Sequence, residues 1–238
     1  MVPFGGRNVG NAVRVPVRGR ACHPCGMAKP TDDAPGAATR PSRADRPAGL
    51  APTRAKLHEA ALAHLAKFSA TEAGLVRVLD RRIDRWARRA AAESTEPGTE
   101  LDTAPSRLAA REVARALVQS GVVDDTAFAA GRARSLTRAG RSRRAISAHL
   151  SAKGVPQEVA RAALPEADTE LAAALAYARR RRLGPFRTDR DTGVPIEDTR
   201  RKEIGALARA GFPQPVAQQA LRMDREEAEA AVIRLKQG

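Results

Sequence analysis

GVPQEVARAAL, at Gly154–Leu164, is followed 57 residues later by GFPQPVAQQAL, at Gly211–Leu221, and seven of the eleven positions are identical. In each copy we expect a glycine to end one helix in the left-handed conformation and a proline to begin the next helix. Part of the pattern also occurs earlier, because EVARAL at Glu112–Leu117 is similar to EVARAAL in the first copy. The string therefore predicts the joint between the second and third helices of a repeated three-helix unit.

Composition indicates that the whole fold is all-α. Aromatic residues make up only 3% of the 238 residues, and the abundant Ala, Arg and Leu are strong helix formers. Tandem three-helix repeats would stack as an elongated solenoid. The alternative, two unrelated helix–Gly–Pro–helix turns, is disfavoured by the seven matches. The predicted divisions are a disordered basic tail and three helical repeats, the last of which includes a C-terminal helix: 1–52, 53–121, 122–165 and 166–238.

The first 52 residues show no apolar period and are rich in Pro, Gly, Thr and Arg, which is typical of disorder. They contain Cys22 and Cys25, but the chain has no second cysteine pair to complete a zinc site, so we expect no role for either cysteine. Met27 is an alternative start of the chain. The sequence has no apolar run long enough to cross a membrane and no signal peptide, which predicts a soluble cytoplasmic protein.

Capping signals mark the predicted helix ends. Ser69 with Glu72 three residues later predicts a capping box at the start of the second helix. Asp124 or Asp125 is expected to cap the first helix of the second repeat. The remaining predicted caps lie at the two joints: Gly154, Pro156, Gly211 and Pro213.

No motif of an enzyme is present. The sequence lacks a phosphate-binding P-loop, a dinucleotide-binding glycine motif and a nucleophile elbow. Its four histidines include no pair at helical metal-ligand spacing. We therefore expect a non-enzyme that needs neither a cofactor nor a metal.

Positive charge is concentrated in the second repeat. The formal net charge is +15, and residues 132–153 contain seven basic residues and no acidic one. Arg134 and Arg138 share a helix face that points away from Phe128 and Leu136, which are expected to face the core together with Ala139. The pattern is typical of a surface that binds phosphates or acidic side chains, although a solvated face remains the alternative. This basic ridge consists of Arg132, Arg134, Arg138, Arg141, Arg143, Arg144 and Lys153.

A second run of arginines gives a weaker candidate. Arg179, Arg180 and Arg181 lie in a helix flanked by acidic residues, and Arg182 is expected to fall on its apolar stripe.

The central sequence resembles that of a known family. GVVDDTAFAAGRARSLTRAGRSRRAISAHLSAKGV, at Gly121–Val155, is similar to the central motif of the RecX regulatory proteins. The similarity continues upstream in ALAHLAKFSATEAGLVRVL and downstream in LARAGF, and it covers about 170 residues from Leu57 to Leu221 or slightly beyond. The chain departs from the family at Gly131, where a bulky residue is usual, and at Leu136, where Arg is frequent.

This resemblance implies a curved, elongated molecule that binds in the helical groove of a RecA filament on single-stranded DNA. It also implies inhibition of the recombinase, ATPase and coprotease activities of RecA, and hence regulation of DNA repair and the SOS response. The expected form is a monomer, and direct contact with DNA stays open. The alternative function is that of a direct nucleic-acid-binding helical protein, such as a transcription regulator.

Overall fold

The structure, a computed structural model, describes residues 48–94, 101–188 and 196–237. Within those residues it contains α-helices, a short 3-10 turn at Gly184–Phe186 and no β-strand. The predicted all-α fold is therefore confirmed. The helices are α1 Arg54–Leu65, α2 Glu72–Glu93, α3 Ala104–Gln119, α4 Asp125–Arg138, α5 Arg143–Ala152, α6 Gln157–Ala162, α7 Ala167–Arg181, α8 Ile196–Arg209, α9 Gln214–Arg222 and α10 Arg225–Gln237.

The helices form three successive sets of three, here called repeat 1 (α1–α3), repeat 2 (α4–α6) and repeat 3 (α7–α9). Within each repeat every helix contacts the other two, and α10 contacts α7. Each repeat encloses its own apolar cluster, which for repeat 1 includes Leu57 and Leu79, for repeat 2 Ile146 and Leu150, and for repeat 3 Leu207. We keep 53–121 and 122–165 as the proposed limits of repeats 1 and 2, and 166–238 as those of repeat 3 together with α10.

The two joints have the left-handed glycines that the repeated string predicts. Gly154 has a φ of +82° and Gly211 a φ of +90°. The prolines lie one position earlier than predicted, because Pro156 and Pro213 immediately precede α6 and α9 instead of forming their first residues. Their ψ angles of 143° and 147° are those of extended backbone, so neither proline is in the helical conformation.

The predicted capping box at Ser69 is wrong. The N-cap of α2 is Thr71, whose hydroxyl accepts a hydrogen bond from the Gly74 amide at 2.9 Å. Glu72 is the first helical residue and not the third, so it cannot be the partner that a capping box requires. At the start of α4 the cap is Asp124, whose carboxylate accepts from the amides of Thr126 and Ala127.

The buried face of α4 also differs from the prediction. Its buried residues are Ala129, Ala133 and Thr137, whereas Phe128 and Leu136 are half-buried and Ala139 is exposed. Small side chains allow close approach of neighbouring helices, and α4 contacts α5, α6 and α7. The small residues, and not the large ones, therefore mark the inner face.

Most of the predicted N-terminal tail, with Cys22, Cys25 and Met27, lies outside the described residues. Its last residues contact repeat 1. The Ala48 amide donates to the Glu93 carboxylate at 2.9 Å, and the Trp86 indole donates to the Gly49 carbonyl at 3.0 Å.

The same two hydrogen bonds join each repeat to the next. The Thr71 hydroxyl of repeat 1 donates to the Lys153 carbonyl of repeat 2 at 2.7 Å, and the Ser142 hydroxyl of repeat 2 donates to the Ala210 carbonyl of repeat 3 at 2.8 Å. Both acceptors directly precede a joint glycine. Each joint therefore forms the docking point for the preceding repeat as well as a turn.

A carboxylate provides the second bond at each contact between repeats. Asp125 at the start of α4 accepts from the Glu72 amide at 2.9 Å, and Glu170 of α7 accepts from the Arg143 amide at 3.0 Å. In both cases the donor is the first residue of the second helix of the preceding repeat. These amides lack a partner within their own helix, so the next repeat satisfies them.

Candidate functional site

The basic ridge is a surface whose charges are not neutralised by the protein. Six of its seven side chains are exposed, and Arg143 is half-buried. No residue of the ridge forms a salt bridge within the described part of the chain. Three ridge residues lie on α4, one in the turn to α5, two in the first turn of α5 and one at its end. The α4–α5 hairpin thus presents a set of cations that are available to an anionic partner.

One group of ridge residues surrounds His149. The Arg132 guanidinium donates through Nε to His149 Nε2 at 3.0 Å, which requires a neutral imidazole. Burial, followed by the charges of Arg132, Lys153 and Arg141, lowers the pKa of His149 from its ordinary value of 6.5. The charges around His149 therefore disfavour its protonation and attract an anion.

A second group lies in a groove between α4 and α10. Arg134 and Arg138 line it from α4, and Arg234 lines it from α10. The groove has a volume of about 390 Å³. Sequence reasoning missed Arg234, because its position beside α4 depends on how α10 packs against α7.

The third group lies close to repeat 3. The Arg143 amide is bound to Glu170, as described above, and the Arg144 side chain lies against the second joint. A Cβ atom added at Gly211 would lie 3.4 Å from the Arg144 Cβ atom. The structure therefore divides the predicted ridge into three local groups instead of one continuous stripe.

Comparison with known proteins identifies the family. A family model described as the second three-helix domain of RecX matches residues 124–164. The regulatory protein RecX of Myxococcus xanthus is 37% identical over 179 residues, which cover 74% of this chain and 88% of that protein. This chain belongs to the RecX family.

Two further matches support the RecX assignment. The regulatory protein RecX of Agrobacterium fabrum is 41% identical over 107 residues, 45% of this chain and 55% of that protein. The crystal structure of RecX from Lactobacillus salivarius aligns with a TM-score of 0.50 at 15% identity, covering 76% of this chain and 99% of that one. At this identity the structural likeness shows the fold alone. The names of the sequence relatives describe regulatory proteins, which points to a non-enzyme.

The weaker candidate site in this RecX family member, the run from Arg179 to Arg181, is exposed, and Arg180 and Arg181 contact other groups of the chain. Arg180 donates to the Ala139 carbonyl at 2.8 Å, and Arg180 and Arg181 lie 5.6 and 5.8 Å from the centre of the Tyr177 ring. Arg182 does not fall on the apolar stripe, because α7 ends there: its φ is +57° and its side chain is exposed. Of these contacts, the hydrogen bond from Arg180 to Ala139 joins repeat 3 to repeat 2.

An open groove separates the end of α1 from α4. It has a volume of about 830 Å³, and Leu62, Val122 and Phe128 contribute to its wall. A Cβ atom added at Gly131, where the RecX resemblance shows a departure, would meet nothing within 4 Å. The smaller residue thus leaves space that a bulky side chain would occupy.

Neither a metal site nor a membrane span is found in the described part of this RecX family member. Residues 48–94, 101–188 and 196–237 contain no group of three or more His, Cys, Asp or Glu side chains that could hold a metal ion. None of their helices is both long enough and apolar enough to cross a membrane.

Proposed function

We propose that this RecX family member binds the RecA filament on single-stranded DNA and inhibits the recombinase, ATPase and coprotease activities of RecA. Support comes from family membership, since the relatives are named regulatory protein RecX. In this proposal the chain acts as a monomer in the cytoplasm, without a cofactor, and regulates DNA repair.

The basic ridge is the proposed contact with the filament. The observation that carries this assignment is a run of 22 residues, 132–153, with seven cations, no acid and no internal salt bridge in the described chain. A filament of protein on DNA offers both carboxylates and phosphates, and the planar guanidinium group binds either through paired hydrogen bonds. Exposed charges of one sign also accelerate association with a polyanion.

The proposal is tested by titrating the chain into a DNA-dependent RecA ATPase reaction. We expect inhibition that weakens as NaCl rises from about 50 mM to about 200 mM, because salt screens exposed charges. ATP hydrolysis by RecA alone, measured over the same salt range, provides the control. An ATPase rate that is unchanged by a molar excess of the chain over RecA would contradict the proposal.

A further inference from the structure

The groove between α4 and α10 brings together arginines from distant parts of the chain. Arg134 and Arg138 come from repeat 2, and Arg234 comes from the helix that follows repeat 3. The volume of about 390 Å³ lies within the range of pockets that bind small molecules. The groove is therefore large enough to take a unit of about the size of one nucleotide.

The three guanidinium groups have no anionic partner in the described chain. None of them takes part in a salt bridge, and no carboxylate side chain lines the groove. Asp168 and Glu227 line a neighbouring groove with Arg234, but neither forms an ion pair with it. An anion in the groove could contact all three guanidinium groups without replacing a carboxylate of the protein.

The floor of the groove is apolar. Ala163, Pro165 and Leu235 contribute carbon surface beside the arginines, and Thr169 contributes a hydroxyl. A surface of this kind suits a ligand that has both a charged and a flat apolar part. Nucleobases stack on guanidinium planes and pack against apolar side chains, whereas their phosphates bind the charged groups.

The spacing on α4 matches a chain of phosphates. Arg134 and Arg138 are one helical turn apart, about 6 Å along the helix axis, which is close to the separation of neighbouring phosphates in an extended strand. Both side chains are exposed. The apolar surface beside the arginines favours a nucleic acid strand, whose bases can pack there, over an acidic protein segment.

We propose that this groove binds one nucleotide step of single-stranded DNA. Arg134 and Arg138 contact successive phosphates, and Arg234 with the apolar floor holds the base between them. The inference deepens the proposed function, because it names a place for the strand of the filament. Binding to a bare strand does not require RecA, so the two claims can be tested separately.

The experiment measures binding of a fluorescent oligothymidylate to the full chain by anisotropy. We expect Arg234→Glu to weaken binding by about tenfold or more, because the base loses its guanidinium contact and the new carboxylate repels the neighbouring phosphates. The matched control is Lys236→Glu, an identical change of charge at an exposed position of the same helix that lies outside the groove. It should bind within about twofold of the wild type.

Two further probes test the chemistry of the ligand. An oligonucleotide with abasic positions should bind the wild type more weakly than oligothymidylate, because the base loses its apolar contact. Polyglutamate of equal charge should compete poorly with the oligonucleotide. Circular dichroism of each variant checks that its helices are intact.

The following results would overturn the inference: no binding of oligothymidylate by the wild type, equal affinities of Arg234→Glu and Lys236→Glu, or equally effective competition by polyglutamate. The last result would indicate an acidic protein segment as the ligand. Inhibition of the RecA ATPase is measured in parallel. If the wild type inhibits RecA while Arg234→Glu binds the oligonucleotide normally, this inference fails and the proposed function stands. If Arg234→Glu alone loses oligonucleotide binding and the wild type does not inhibit RecA, the proposed function fails and this inference stands.

Discussion

Replacing Gly154 by alanine should destabilise the protein far more than the same change at Gly121. Both glycines end a helix with positive φ, +82° and +72° respectively, so an alanine at either position adopts a disfavoured backbone conformation. That strain costs about 1 kcal/mol at each site. The two positions differ in what a new methyl group would meet, and this difference isolates the contact between repeats.

A Cβ atom at Gly154 would lie 2.5 Å from the Cβ atom of Ala73 on α2, whereas one at Gly121 would meet nothing within 4 Å. Overpacking of this kind adds about 1–3 kcal/mol. We therefore expect a loss of roughly 2–4 kcal/mol for Gly154→Ala and about 1 kcal/mol for Gly121→Ala. Urea denaturation followed by circular dichroism measures both values. Equal losses in the two variants would mean that α2 does not press on the first joint.

Three other changes test separate features of the structure. Gly131→Ala should raise the free energy of unfolding, measured in urea, by roughly 0.5–1 kcal/mol, because alanine favours the helix and its methyl group meets no atom. A clear decrease would mean that the groove beside α4 is closed. Thr71→Ala should lower the free energy of unfolding by about 1–2 kcal/mol, because it removes the cap of α2 and the bond to repeat 2. Ser69→Ala should leave it nearly unchanged, and a larger loss for Ser69→Ala would support the capping box instead. Since the pKa of His149 is lowered in the folded chain, the unfolded chain binds a proton more readily, so stability should fall as the pH drops below about 6.5. The melting temperature of His149→Gln should depend less on pH across this range than that of the wild type. An equal dependence would mean that the His149 imidazole does not cause the loss of stability.

Local backbone chemistry could be predicted from the sequence, but the packing of one repeat on another could not. A glycine at a helix end needs no distant partner to adopt positive φ, so Gly154 and Gly211 were identifiable from their neighbours alone. The cap of α2 was ambiguous because Ser69 and Thr71 both carry hydroxyls. Thr71 also bonds to the Lys153 carbonyl, 82 residues away, and no local signal encodes that contact.

The candidate site shows the same division. The acid-free run of residues 132–153 can be found by counting charges. The predicted inner face of α4 was wrong, because its buried residues are Ala and Thr instead of large apolar ones. The grouping of Arg132 with His149, and of Arg234 with Arg138, depends on helix packing. RecA as a partner follows from family resemblance and not from any residue pattern.

The proposed contact between the basic ridge and the RecA filament is tested by reversing the charge of Arg134, Arg138 and Arg144 together to Glu and measuring inhibition of the DNA-dependent RecA ATPase. The control variant reverses three exposed arginines outside the ridge: Arg111, Arg115 and Arg222. Both variants should keep the helicity and melting temperature of the wild type, because exposed charges contribute little to folding. We predict that the ridge variant no longer inhibits RecA, whereas the control variant inhibits it like the wild type. Inhibition by the ridge variant at the wild-type concentration would contradict the account and would place the contact with the filament elsewhere on the chain.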